Sequence, residues 1–94
     1  MIEIQLNTHT IQKHIVNFHA NALTFYYATG TQPYVFHVGH IQSIEIVEKK
    51  GRYYLSVSTG FKENSEEFDV EVLPKVRELV AAVQKATKEF QTSQ

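Results

Sequence analysis

The sequence predicts a mainly β fold: a barrel or sandwich of about seven antiparallel strands, capped by one C-terminal α-helix. Two patterns carry this. Up to residue 70, short runs of apolar residues alternate with polar ones and are separated by turn residues, which is the period of strands with one buried face. From Val72 onward the apolar residues fall instead into one helical stripe. Hairpins in series leave an apolar sheet face uncovered, so a closed or two-layered arrangement with the helix over an open end is expected.

Ile2, Ile4 and Leu6 alternate with Glu3 and Gln5, giving a strand over about 2–6. Asn7-Thr8-His9-Thr10 forms a loop, and the β-branched and aromatic segment Ile11 to Phe18 forms the second strand. His19-Ala20-Asn21-Ala22 turns the chain, with Asn21 as the residue that tolerates positive φ. Leu23, Phe25 and Tyr27 share one face of a third strand over 23–29, and Thr29-Gly30-Thr31-Gln32-Pro33 leads to a fourth over 33–38. Gly39 interrupts the pattern, and the spacing of Ile41, Ile44 and Ile46 implies a bulge or bend before the strand over 41–48 settles.

Lys49-Lys50-Gly51-Arg52 closes the next hairpin, to a strand over 52–59. A loop of even length sets Ile46 against Leu55, Ile44 against Val57 and Glu48 against Tyr53, whereas an odd loop sets Glu45 against Leu55. The even loop is expected, because a one-residue slip exchanges the two faces of the strand. A polar stretch, Lys62-Glu63-Asn64-Ser65, precedes a last strand over 66–70 in which Phe68 and Val70 alternate with Glu67, Asp69 and Glu71. Val72, Val76, Leu79, Val80, Val83 and Phe90 then mark a helix over 72–90, with Pro74 in its first turn, where a missing N–H costs little. No linker or repeat divides the chain, so residues 1–94 are expected to form one domain.

Nine Lys and Arg against ten Asp and Glu leave a net charge of −1, but their distribution is uneven. Residues 1–44 carry only Glu3 and Lys13 as fixed charges, together with all five histidines. Near-neutrality argues against duplex nucleic acid or an anionic membrane as a partner. Without cysteine there is no disulfide framework and no thiolate chemistry. The N-terminus has no signal-peptide pattern and the apolar runs are short, so a soluble cytoplasmic protein without stable membrane association is expected.

Seven strands followed by one amphipathic helix resembles the pleckstrin-homology-like (PH-like) superfold, including its bacterial members of unassigned function. The local likeness is carried by Ile41-x-x-Ile44, the hairpin around Gly51, the strand ending in Phe68 and Val70, and the Val76, Leu79, Val83 helix stripe. The resemblance implies a domain that binds phosphoinositides, peptides or other proteins. The family's lipid site uses basic residues around the loop joining the first two strands. Here that loop is Asn7-Thr8-His9-Thr10, with Lys13 as the nearby cation, too few donors to converge on a phosphate headgroup. The hairpin over Ile41 to Val57 is also similar to bacterial LytTR DNA-binding domains, against which the charge count speaks.

No catalytic constellation is legible. Ser56 and Ser58 read as the wet side of a strand, and Glu67, Asp69 and Glu71 as a solvated face rather than an acid/base pair. His9, His14 and His19 have odd separations, and so does the pair His37 and His40, which points to opposite strand faces unless Gly39 carries a bulge, so no metal site is expected. No cofactor is expected either, because the four glycines stand alone. The expectation is a non-catalytic module whose ligand is a protein or peptide. Its candidate surface is the charge-free sheet at Asn17, Thr24 and Tyr26, since interface centres exclude charge and favour Tyr. Lys49, Lys50 and Arg52 are a candidate anion contact, although a charged hairpin tip is commonly just solvated. The alternative is a self-associating structural domain, a homo-oligomer that buries its neutral half.

Overall fold

The computed structural model describes residues 1–7, 13–27 and 32–92. Seven strands run in chain order: β1 (Ile2–Gln5), β2 (His14–His19), β3 (Ala22–Tyr27), β4 (Tyr34–His37), β5 (Ser43–Lys49), β6 (Arg52–Ser58) and β7 (Glu63–Phe68). They form an antiparallel four-stranded sheet, β1-β2-β3-β4, and an antiparallel three-stranded sheet, β5-β6-β7. A 3-10 turn at Val70–Val72 leads into the single helix α1 (Leu73–Thr92). The expected Thr8-His9-Thr10 loop, the start of the second strand at Ile11 and the turn at Thr29-Gly30-Thr31 lie outside the described residues.

Two hairpins, β2–β3 and β5–β6, close through two-residue loops. Ala20 and Asn21 have φ of 52° and 63°, and Lys50 and Gly51 have 53° and 78°, the φ signature of type I′ turns that match strand twist. The second loop is even, and the register is the one that pairs apolar with apolar: Ile46 with Leu55, Ile44 with Val57, Glu48 with Tyr53. The β6–β7 hairpin turns through residues 59–62, with Gly60 at φ 89°, a backbone conformation that favours glycine.

Alternate residues of each strand point inward and build one core from both sheets. Leu6, Val16, Leu23, Leu55, Val57, Val76, Leu79 and Val83 are fully buried there, with Phe25 and Phe68 nearly so. The helical stripe predicted from Val72 to Val83 faces this core. Phe90 continues the same side, and its ring meets that of His37 edge-on at 5.1 Å, which fastens the end of α1 to the turn after β4. Gly39 lies under that ring: a Cβ there would come within 2.7 Å of Phe90.

Three sequence-based expectations are corrected. The last strand spans 63–68 rather than 66–70, and Val70 sits in the 3-10 turn, more than half exposed. Ser56 is buried rather than wet, because β6 is the central strand of its sheet and Ser56 stands between Glu45 and Ser65 in the cross-strand row. His37 and His40 do not point apart. The chain reverses between them, with the His40 N–H donating to the His37 carbonyl, and their rings lie 6.2 Å apart.

Candidate functional site

The way the strand edges are managed leaves one corner of the sandwich open. At the other corner the Asp69 N–H donates to the Leu6 carbonyl at 2.9 Å, tying the end of β7 to β1. The β5 edge runs beside α1, where Gln84 Nε2 donates to the Ile44 carbonyl at 3.0 Å. Between β4 and β5, among the described residues, no backbone hydrogen bond joins the strands; the 38–42 turn links them.

Hydrogen bonding in an antiparallel ladder alternates, which identifies the groups left on the β4 edge. The Val38 N–H donates to the Asn21 carbonyl, so Phe36 and Tyr34 also bond to β3, opposite Leu23 and Phe25. Val35 and His37 therefore direct their backbone groups away from the sheet. The His37 carbonyl accepts from His40, so that among the described residues the Val35 N–H and carbonyl and the His37 N–H are left along the edge.

A groove of about 580 Å³ opens at this corner, walled by Tyr34, Val35, Phe36 and Ile41, by Thr59, Phe61 and Lys62, and by Gln91 of α1. Among the described residues, Lys62 is the single fixed charge in its lining. A second recess of about 410 Å³ shares Ile41, Gln42 and Gln91 with it and continues between β5 and α1 past Ile44 and Gln84. Together they form a track from the β4 edge to the seam between strand and helix.

Phe61 stands at the rim, 99% exposed, on a turn that is built rather than loose. The Thr59 N–H donates to the Lys62 carbonyl at 2.9 Å, and the Lys62 N–H donates back to Thr59 Oγ1 at 3.3 Å. Val35 is 61% and Tyr34 47% exposed, so three large apolar side chains surround an uncovered strand edge. No periodicity signals this. Phe61 occupies a turn and the groove is assembled from four separate stretches of chain.

A polar cluster lies between the two sheets, next to Tyr34 of the groove wall. Asn64 and Glu66 share the inward face of β7 with Phe68, although both are polar. The Glu66 carboxylate accepts from Tyr27 Oη on β3 and, at 3.5 Å, from Asn64 Nδ2, and His14 Nδ1 of β2 lies 3.7 Å away. The Tyr27 ring meets His14 at 5.1 Å and Tyr34 at 5.8 Å, both edge-on. Burial, with the hydrogen bond to Glu66 and its negative charge, pushes the Tyr27 phenol well above its ordinary pKa. The cluster fastens one sheet to the other, and the parity of Asn64 and Glu66 with Phe68 was the available sequence signal.

The predicted surface residues fall together on the outer face of the four-stranded sheet. Asn17 opposes Thr24, and Tyr26 follows on β3, half exposed. Thr24 is buried, because it lies between Asn17 and Val35 in its row, and Asn17 Nδ2 donates to Glu3 Oε1 at 3.3 Å. Lys49, Lys50 and Arg52 are exposed at the tip of the β5–β6 hairpin, and Arg52 Nη1 lies 3.9 Å from the Glu67 carboxylate on β7. Among the described residues no three His, Asp or Glu side chains gather as a metal set, and none of the helices is long and apolar enough to cross a membrane. Comparison with protein-family models, curated proteins and solved structures finds no match.

Proposed function

We propose that this chain is a small non-catalytic binding module of PH-like type, and that it takes an extended protein or peptide segment in the groove at the β4–β5 corner. The carrying observation is the open β4 edge flanked by Tyr34, Val35 and Phe61. An extended chain can add to such an edge through main-chain hydrogen bonds while the neighbouring recesses select side chains. The order of seven strands and a C-terminal helix, arranged as four plus three, supports the PH-like assignment. A single lysine in the lining favours a peptide over a phosphoinositide, whose headgroup needs several converging donors.

Panning the purified protein against a library of random peptides tests this, with phosphoinositide liposomes as a parallel arm. Peptides with an apolar anchor should be enriched, and their affinity should fall about tenfold in Phe61→Ser, the loss expected from removing one aromatic contact. Enrichment of no peptide, or an unchanged affinity in Phe61→Ser, refutes the groove. Liposome binding without peptide binding points to lipid instead.

A further inference from the structure

We infer that the segment received at this corner is β4 of a second copy, so that two chains pair edge to edge about a two-fold axis at Val35. The inference rests on the reading of the corner as a protein-binding surface and names its partner. Antiparallel pairing of a strand with itself places each residue opposite a residue of the same strand near the axis, so fixed charges there oppose their own sign. Such charges are one way that sheet edges avoid self-pairing. Glu3 marks β1, Glu45, Glu48 and Lys49 mark β5, and Glu63, Glu66 and Glu67 mark β7. β4, Tyr-Val-Phe-His, carries none. It is also the edge that neither α1 nor a backbone bond to the other sheet covers among the described residues.

The hydrogen-bonding groups of the edge are self-complementary. With Val35 on the axis, its N–H donates to the Val35 carbonyl of the second copy, and the reverse. His37 then lies opposite Pro33. Pro33 has no N–H to donate, and the His37 carbonyl already accepts from His40, so the bond required is His37 N–H to the Pro33 carbonyl. Each direction uses a group left open by the other. Centring the axis on Phe36 would instead require the occupied His37 carbonyl to accept from Val35, which disfavours that register. Pairing at Val35 also brings Tyr34 of one copy against Phe36 of the other, covering a ring that is 47% exposed in the single chain.

Sedimentation equilibrium of the intact chain over a wide concentration range is the test. The apparent mass should double as concentration rises. Val35→Lys and Val35→Glu, each at an exposed position, should each sediment as monomers with an unchanged circular dichroism spectrum. An equimolar mixture of the two should recover the dimer, because the opposed residues then carry opposite charge. A wild-type chain that stays monomeric overturns the inference. So does a dimer that survives Val35→Lys, or a mixture that fails to reassociate. Peptide enrichment by a monomeric wild type leaves the groove as a peptide site and removes only the second copy as its occupant.

Discussion

Removing the Tyr27 hydroxyl isolates the polar contact that joins the two sheets. Its acceptor, Glu66, has a side chain only 14% exposed, so water replaces a lost donor poorly. A hydrogen bond to a charged group contributes about 1.5–3 kcal/mol. Asn64 still donates to the same carboxylate in the variant, which argues for the middle of that range. Tyr27→Phe is therefore expected to destabilise the fold by about 2 kcal/mol, or roughly 8–16 °C in Tm for a domain of this size. Urea unfolding followed by circular dichroism, on Tyr27→Phe, Glu66→Gln and the double variant, gives the coupling energy directly. A coupling under about 0.5 kcal/mol would refute the reasoning, since residues that do not interact add within that margin. The pH dependence has a defined sign. Above about pH 10 the unfolded chain releases a phenolic proton that folded Tyr27 keeps, because its pKa is raised, so stability falls as pH rises toward that elevated value. In Tyr27→Phe the alkaline slope should be shallower by up to about 1.4 kcal/mol per pH unit. Equal slopes would mean that this phenol is not perturbed.

Three further substitutions probe the scaffold. Ala20→Gly should raise stability by about 0.5–1 kcal/mol, because Ala20 is held at φ 52°, where a Cβ is strained; a lower melting temperature counts against the turn geometry. Leu79→Ala, at a fully buried position of α1, should cost about 2–5 kcal/mol in chemical denaturation, and a loss below 1 kcal/mol would show that the helix does not pack as described. Gly60→Ala places a Cβ at φ 89° and 2.6 Å from Gln42 Nε2, so a loss of about 1–2 kcal/mol is expected, with shifted amide resonances at Thr59 and Lys62; an unperturbed spectrum would refute a pinned β6–β7 turn.

Much of the fold was legible because its rules are local. The Ile44/Ile46 and Leu55/Val57 sets determine their own register, since the alternative turns an apolar set to water. Asn21 and Gly51 announce turns by tolerating positive φ. The candidate groove was not legible. Tyr34 and Val35 look like any strand residues, and nothing local says that β4 ends a sheet. The proposed surface at Thr24 overlooked that an internal strand is covered by its cross-strand neighbours even on the outer face.

By itself, the sequence determined the mainly β class, the apolar register of the central hairpin and the helix stripe from Val72 to Val83, because each follows from periodicity among near neighbours. The tertiary structure decided which polar residues turn inward and which apolar ones stay outside. Glu66 can face the core because Tyr27, 39 residues away, donates to it. Phe61 stays in water because the turn between β6 and β7 carries it past the edge of the sheet. The open β4 edge exists because the other corner is closed by Asp69 and Leu6 and β5 is flanked by α1. These outcomes depend on groups distant in sequence competing for the same contacts, which no local pattern records.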